Sequence, residues 1–153
     1  MQSKDTNNYQ SSSHSKFDLR VHLVWITKYR YKVITKQLGS RLIEIIRIIC
    51  KNNNIIIISG TVDSDHIHLY ISFRPDLSIS KIVQLIKGIS SNKIQKEFPE
   101  LQKKYWGQHF WARGYFASTV GHLDNETIQQ YIKNHNSEDI DDDTFTLTTK
   151  LDH

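Results

Sequence analysis

The chain carries Ile55-Ile56-Ile57-Ile58-Ser59-Gly60-Thr61-Val62, then Asp63-Ser64-Asp65, then His66-Ile67-His68-Leu69-Tyr70-Ile71-Ser72-Phe73. Two runs rich in β-branched and apolar residues flank three short polar ones. That is the pattern of a strand, a tight turn and a partner strand. The second run alternates. Ile67, Leu69, Ile71 and Phe73 share one face, and His66, His68, Tyr70 and Ser72 share the other. The first run opens on four isoleucines without alternation, which predicts a strand buried on both faces.

The flanking segments extend this hairpin into a fold. Leu19 to Thr27 reads as a strand with Leu19, Val21, Leu23 and Trp25 on one side. Lys36 to Asn52 places Leu38, Leu42, Ile45, Ile46 and Ile49 on one helical stripe. Ser78 to Phe98 reads as a long helix with Ile82, Leu85, Ile86, Ile89 and Ile94 inward. Gln108 to Val120 is rich in aromatics and is expected to hold one or two short strands. Asp124 to His135 closes the pattern as a helix, with Asp124 as its cap and Glu126 complementing the dipole in its first turn. The order β-α-β-β-α-β-α predicts an α+β fold, a ferredoxin-like (split βαβ) antiparallel sheet with two helices on one face. The last helix is surplus to that plan. It must lie against the other face of the sheet or against another subunit.

Composition narrows the function classes. At 153 residues, 38% hydrophobic and with two prolines, the chain is one globular domain rather than a linker or repeat. Its polar ends, 1–16 and 138–153, read as tails around a 17–137 domain. A single cysteine, Cys50, excludes a disulfide framework and a four-cysteine zinc site, and its apolar setting argues against a thiol nucleophile. No apolar run reaches the roughly 18 residues of a membrane span, and the serine-rich start lacks a signal-peptide core. A cytoplasmic protein is expected. There is neither a glycine-rich phosphate loop nor a Gly-x-Ser-x-Gly elbow. The net charge is +4, but the two tails hold three of the 20 bases and seven of the 16 acids. The body between them carries 17 bases against nine acids, a net +8. Such a body invites a polyanion, with nucleic acid the first candidate.

Three constellations bear chemistry. On one strand face, His66 and His68 stand about 7 Å apart, close enough to converge on one metal ion. The ordinary alternative is a pair of polar residues on a wet sheet face. Tyr131 and His135 are four apart on the last helix and so share a face. His135 could add a third ligand, and Tyr131 could attack a polarised phosphate to give a covalent phosphotyrosine. Here the ordinary alternative is a core stripe of Ile128, Tyr131, Ile132 and His135. A second Tyr-x-x-x-His match, Tyr105 to His109, spans Trp106-Gly107 and suits a turn better than a helix. The third constellation interleaves cations with aromatics in Lys28-Tyr29-Arg30-Tyr31-Lys32 and in Phe110-Trp111-Ala112-Arg113-Gly114-Tyr115-Phe116. Cations hold phosphates and rings stack on unpaired bases, a pairing suited to single strands. Solvated loop cations and half-buried strand aromatics are the alternatives.

Together these segments resemble the single-tyrosine HUH transposases, the TnpA type of bacterial and archaeal insertion sequences. The likeness runs through Val24-Trp25-Ile26-Thr27-Lys28-Tyr29-Arg30, Asp65-His66-Ile67-His68-Leu69, Ile86-Lys87-Gly88, Phe110 to Phe116, Thr119-Val120-Gly121 and Tyr131-Ile132-Lys133-Asn134. It covers about Phe17 to His135. The resemblance implies cleavage and rejoining of single-stranded DNA through a 5′-phosphotyrosine. It implies a divalent metal such as Mg²⁺ or Mn²⁺, no nucleotide cofactor, imperfect DNA hairpins at the element's ends as partners, and a homodimer able to complete its active sites in trans. By position, Tyr131 matches the nucleophile and His66 and His68 the metal pair. His135 stands where the family usually has glutamine or asparagine, a change toward softer divalent ions. Lys28, Arg30, Lys32, Lys87 and Arg113 are the expected nucleic-acid contacts. The competing expectation is a ferredoxin-like module that binds single strands without cutting them.

Overall fold

The structure is a computed structural model that describes residues 10–11, 15–105 and 109–139. In chain order its elements are β1 (Gln10–Ser11), β2 (Lys16–Phe17), β3 (Leu19–Ile26), α1 (Lys36–Asn52), β4 (Ile56–Val62), β5 (His66–Phe73), α2 (Ile79–Glu97), α3 (Glu100–Tyr105), β6 (Phe116–Ser118) and α4 (Asn125–Asp139). Four strands form one sheet in the order β4-β5-β3-β6, with every neighbouring pair antiparallel. Strand β5 slots between β3 and β4, so β3-α1-β4 is a split βαβ unit, as the element order predicts.

Alternation along the strands sorts the two faces. Val21, Leu23 and Trp25 of β3 and Ile67, Leu69 and Ile71 of β5 pack with Leu42, Ile45 and Ile49 of α1 and Ile82, Ile86 and Ile94 of α2. The opposite face carries Val24 and Ile26, and these pack with Ile128 and Ile132 of α4, Ala112 and Leu123. The surplus helix therefore lies on the second face of its own chain's sheet. Register places the histidines on that same face, because His68 opposes Val24 and His66 opposes Ile26.

Both long helices begin at a side-chain cap. Thr35 Oγ1 accepts from the Leu38 amide and Ser78 Oγ from the Lys81 amide. Each satisfies an amide that has no partner inside the helix. Replacing Ser78 with alanine is expected to cost about 1 kcal/mol. Chemical denaturation should show a lower midpoint at an unchanged slope.

Two expectations are corrected, and three short elements are additional. The isoleucine run is not buried on both faces. Strand β4 is an edge strand, Ile56 and Ile57 are half-buried, and a register shift between Ile57 and Ser59 breaks its alternation. In α2, Ile89 is exposed and Ser90 lies inside, because Ser90 Oγ accepts from the Trp111 indole Nε1–H at 2.9 Å. Strands β1 and β2 form an antiparallel pair, with Gln10 opposite Phe17 and Ser11 opposite Lys16, tied to β5 by Gln10 Nε2 donating to the Ser72 carbonyl. Helix α3 is additional. Its buried Leu101 and Tyr105 are four apart, but six residues are too few to stand out as a period. Residues 140–153 of the expected acidic tail lie outside the described residues. Among the described residues, no helix is long and apolar enough to cross a membrane.

Candidate active site

His66 opens β5 directly after the Asp63-Ser64-Asp65 turn and is almost fully buried. Its Nε2 lies 2.9 Å from Asp63 Oδ2, and its Nδ1 lies 2.9 Å from Asp65 Oδ1. Both ring nitrogens thus face carboxylates and can donate together only from the imidazolium. Burial alone would lower the His66 pKa, but the hydrogen bonds to Asp63 and Asp65 outweigh it and hold the pKa above the ordinary value. Asp63 Oδ1 and Asp65 Oδ2 are buried without a hydrogen-bond partner among the described residues.

His68 stands two residues along the same face, its Nε2 3.0 Å from Nδ1 of His22 on β3. The His22 ring stacks on Tyr70 at 3.9 Å between centroids. Burial lowers the His22 pKa, against opposing hydrogen bonds from the backbone of Gly121 and Val120. His22, Asp63 and Asp65 were not singled out from the sequence. The signal for His22 was present: it alternates with Val24 and Ile26, the residues of the histidine face. The two aspartates read as turn formers, and only the fold turns their carboxylates onto His66.

Tyr131 lies on α4, half-buried, with its ring 5.6 Å from Phe116 of β6. Asp124 caps this helix as expected, Oδ1 accepting from the Thr127 amide at 2.8 Å. An open cleft of about 760 Å³ runs beside the tyrosine, lined by Phe116, Asp124, Thr127, Gln130 and Asn134 among others. Val24 opposes Phe116 on one side and His68 on the other. Phe116, Val24 and His68 therefore form a row across one face, about 10 Å long from two inter-strand steps. Tyr131 packs at the β6 end of the row and the histidines stand at the β5 end. His135 falls on α4, but its side chain lies outside the described residues.

The donor types are those a divalent ion takes, but His66 can bind one only as the neutral imidazole, after giving up a proton and one aspartate contact. The site offers two imidazoles on one strand face and, beside His66, buried carboxylate oxygens that lack a partner. Whichever His66 nitrogen takes the ion, the carboxylate on the other keeps the ring oriented. Among the described residues, no group of three or more His, Cys, Asp or Glu side chains is arranged so that it could hold an ion by itself. An ion held here would need a further ligand.

The expected nucleic-acid contacts divide. Lys32 and Arg113 are exposed and Lys28 is half-buried. Arg30 does not face solvent: it is 4% exposed, and its Nη1 donates to the Ile132 carbonyl at 2.9 Å. Lys87 Nζ donates to the carbonyls of Ala112 and Gly114, clamping the bend where Gly114 takes φ 79°. Phe110 and Trp111 are core residues, which removes them as stacking platforms, whereas Tyr115 and Phe116 stay half-exposed. Tyr105 is buried at the end of α3, and burial raises its phenol pKa, unlike what a nucleophile needs. Cys50 is buried with its pKa pushed up to about 12.

Residues 15–135 match the family described as "Transposase IS200 like". The chain belongs to this family. Among its relatives is the ISDra2 transposase TnpA of Deinococcus radiodurans, 33% identical over 117 residues that cover 76% of this chain and 84% of the relative. The transposase of insertion sequence element IS200 from Salmonella typhimurium is 32% identical over 130 residues, 85% of each chain. The crystal structure of a candidate transposase from Deinococcus radiodurans R1 superposes with a TM-score of 0.75 at 31% identity, covering 82% of this chain and 96% of the other. This protein is therefore an enzyme of DNA transposition, a single-tyrosine transposase of the insertion-sequence type.

Proposed function

We propose that this transposase cleaves and rejoins single-stranded DNA at the ends of its insertion sequence, with Tyr131 as nucleophile. The observation that carries the reading is the shared face: the tyrosine helix and the histidine strand flank one row of the same sheet. The Tyr131 oxygen attacks a backbone phosphorus as its proton leaves. The bond from phosphorus to the 3′ oxygen breaks, and that oxygen departs as a 3′-hydroxyl. A 5′-phosphotyrosine remains and keeps the energy of the broken linkage. Rejoining reverses this, with a 3′-hydroxyl attacking the phosphotyrosine and freeing the phenol.

His66 and His68 hold a divalent ion, Mg²⁺ or Mn²⁺, with His135 as the third ligand. The bound ion supplies Lewis-acid polarisation of the phosphoryl oxygens. Asp63 and Asp65 orient His66, and His22 orients His68. Lys32 and Arg113, with Lys28, track the DNA backbone, and the partners are hairpins near the element's ends. A second copy of the chain completes a homodimer in which active sites can form in trans.

One observation favours a different reading. Both nitrogens of His66 are occupied by aspartates, as in a structural histidine, which would suit a binder of single strands without chemistry. One experiment separates the two. Labelled single-stranded DNA from the flanks of the protein's own gene is incubated with protein and Mn²⁺, then run on a denaturing gel. A protein-linked band that EDTA suppresses is expected. Salt-sensitive binding with no such band in any divalent metal would establish the binding module instead.

A further inference from the structure

Residues Tyr29 and Arg30 form a tight turn just beyond β3, at φ 60° and φ 53°. Two consecutive residues with a Cβ in the left-handed region are strained, and such strain persists only where the surroundings impose it. Here they do. The Arg30 amide donates to the Thr27 carbonyl and Thr27 Oγ1 to the Tyr31 carbonyl, which pins the turn at both ends. The strain delivers the Arg30 side chain beneath α4. Its Nη1 reaches the carbonyl of Ile132, the residue after Tyr131, from 102 positions away in sequence. That carbonyl lies well inside a helix running to Asp139, so the bond adds a tertiary tether to the helix ladder. The apolar seat under α4 is small: Val24, Ile26, Ala112 and Leu123 against Ile128 and Ile132.

We propose that Arg30 is a positioning residue: its buried guanidinium, set by a left-handed turn, seats the Tyr131 helix on the histidine face. This rests on the reading of Tyr131 as the nucleophile and adds to it the group that fixes where the nucleophile stands. Arg30 is thereby moved from the DNA surface to the interior of the site.

The test compares full-length R30M and R30K with the parent. Methionine keeps length and apolar contact but donates nothing, whereas lysine can still donate to the Ile132 carbonyl. Amide hydrogen exchange in R30M should speed up about tenfold over residues 125–134, the loss of one charge-assisted hydrogen bond. Amides of α1, α2 and β5 should stay as in the parent. Affinity for a single-stranded oligonucleotide from the gene's flanks should hold within about twofold while covalent adduct formation slows about 100-fold, the effect of a misplaced nucleophile. R30K should recover most of both losses. Parent-like exchange of α4 in R30M, or equal loosening of every element, would overturn the proposal. If R30M does not fold, R30Q, whose side-chain amide is too short to reach the Ile132 carbonyl, carries the same exchange measurement with the same outcomes. If the parent forms no adduct, the reading of Tyr131 falls, and the exchange result still decides the role of Arg30.

Discussion

A Tyr131→Phe protein should bind single-stranded DNA as the parent does and form no covalent adduct. The substitution removes one oxygen from a half-buried ring and keeps the packing against Phe116. Stability should therefore change by no more than about 0.5 kcal/mol. Affinity should hold within about twofold, because the cationic surface of Lys32 and Arg113 is untouched. Two other candidate nucleophiles are withdrawn from solvent. Tyr105 is buried at the end of α3 with its pKa raised, and Cys50 is on the buried face of α1. The adduct band on a denaturing gel should fall by at least about a thousandfold, to background. An adduct of parental intensity in this variant would remove Tyr131 from the role and direct the search to another nucleophile.

The parts of this fold that could be read from sequence are those where one face of an element is uniformly apolar. Alternation from His66 to Phe73 fixed both the extent of β5 and its histidine face, and the stripe from Leu38 to Ile49 gave α1. Periodicity weakens where a polar residue has a buried partner. Ser90 reads as surface until the Trp111 indole is seen to meet it. It weakens again at sheet edges, since the isoleucines of β4 look like a central strand and stand at the margin. The site behaved in the same way. As candidates, His66 and His68 could be read because strand spacing puts them on one face, and Tyr131 because helical spacing pairs it with His135. Arg30, Asp63, Asp65 and His22 are placed by partners on other elements, or by the shape of a turn, and neither leaves a local period. Arg30 shows the cost of reading charge alone. A cation among aromatics resembles a DNA contact, yet two left-handed residues turn it inward.

Replacing either His66 or His68 with alanine should abolish DNA cleavage in Mn²⁺, yet the two variants should differ in stability. Each removes one of the two imidazoles offered to the ion, so adduct formation should fall by about a thousandfold or more in both. Titration of Mn²⁺ followed by its paramagnetic resonance signal should show weakened binding in both, a readout independent of DNA. Stability separates them because their surroundings differ. His66 is buried between two carboxylates, and its removal leaves Asp63 and Asp65 without their shared donor. Breaking a buried charged pair by deleting one partner costs about 3 kcal/mol or more. His68 is half-buried and meets His22, so H68A should cost about 1 kcal/mol. The pH dependence of the metal-free protein gives a second separation. The raised pKa of His66 means its imidazolium favours the folded state, fully so below the ordinary histidine value of about 6.5. That contribution fades as pH rises through the folded-state pKa. The thermal midpoint of the metal-free parent and of H68A should therefore fall as pH rises above about 6.5, and H66A should lack that slope. Two variants equal in stability at every pH would mean that the carboxylates do not hold His66 in solution. Full cleavage by either variant, or by the parent in EDTA, would remove the histidine pair from the chemistry.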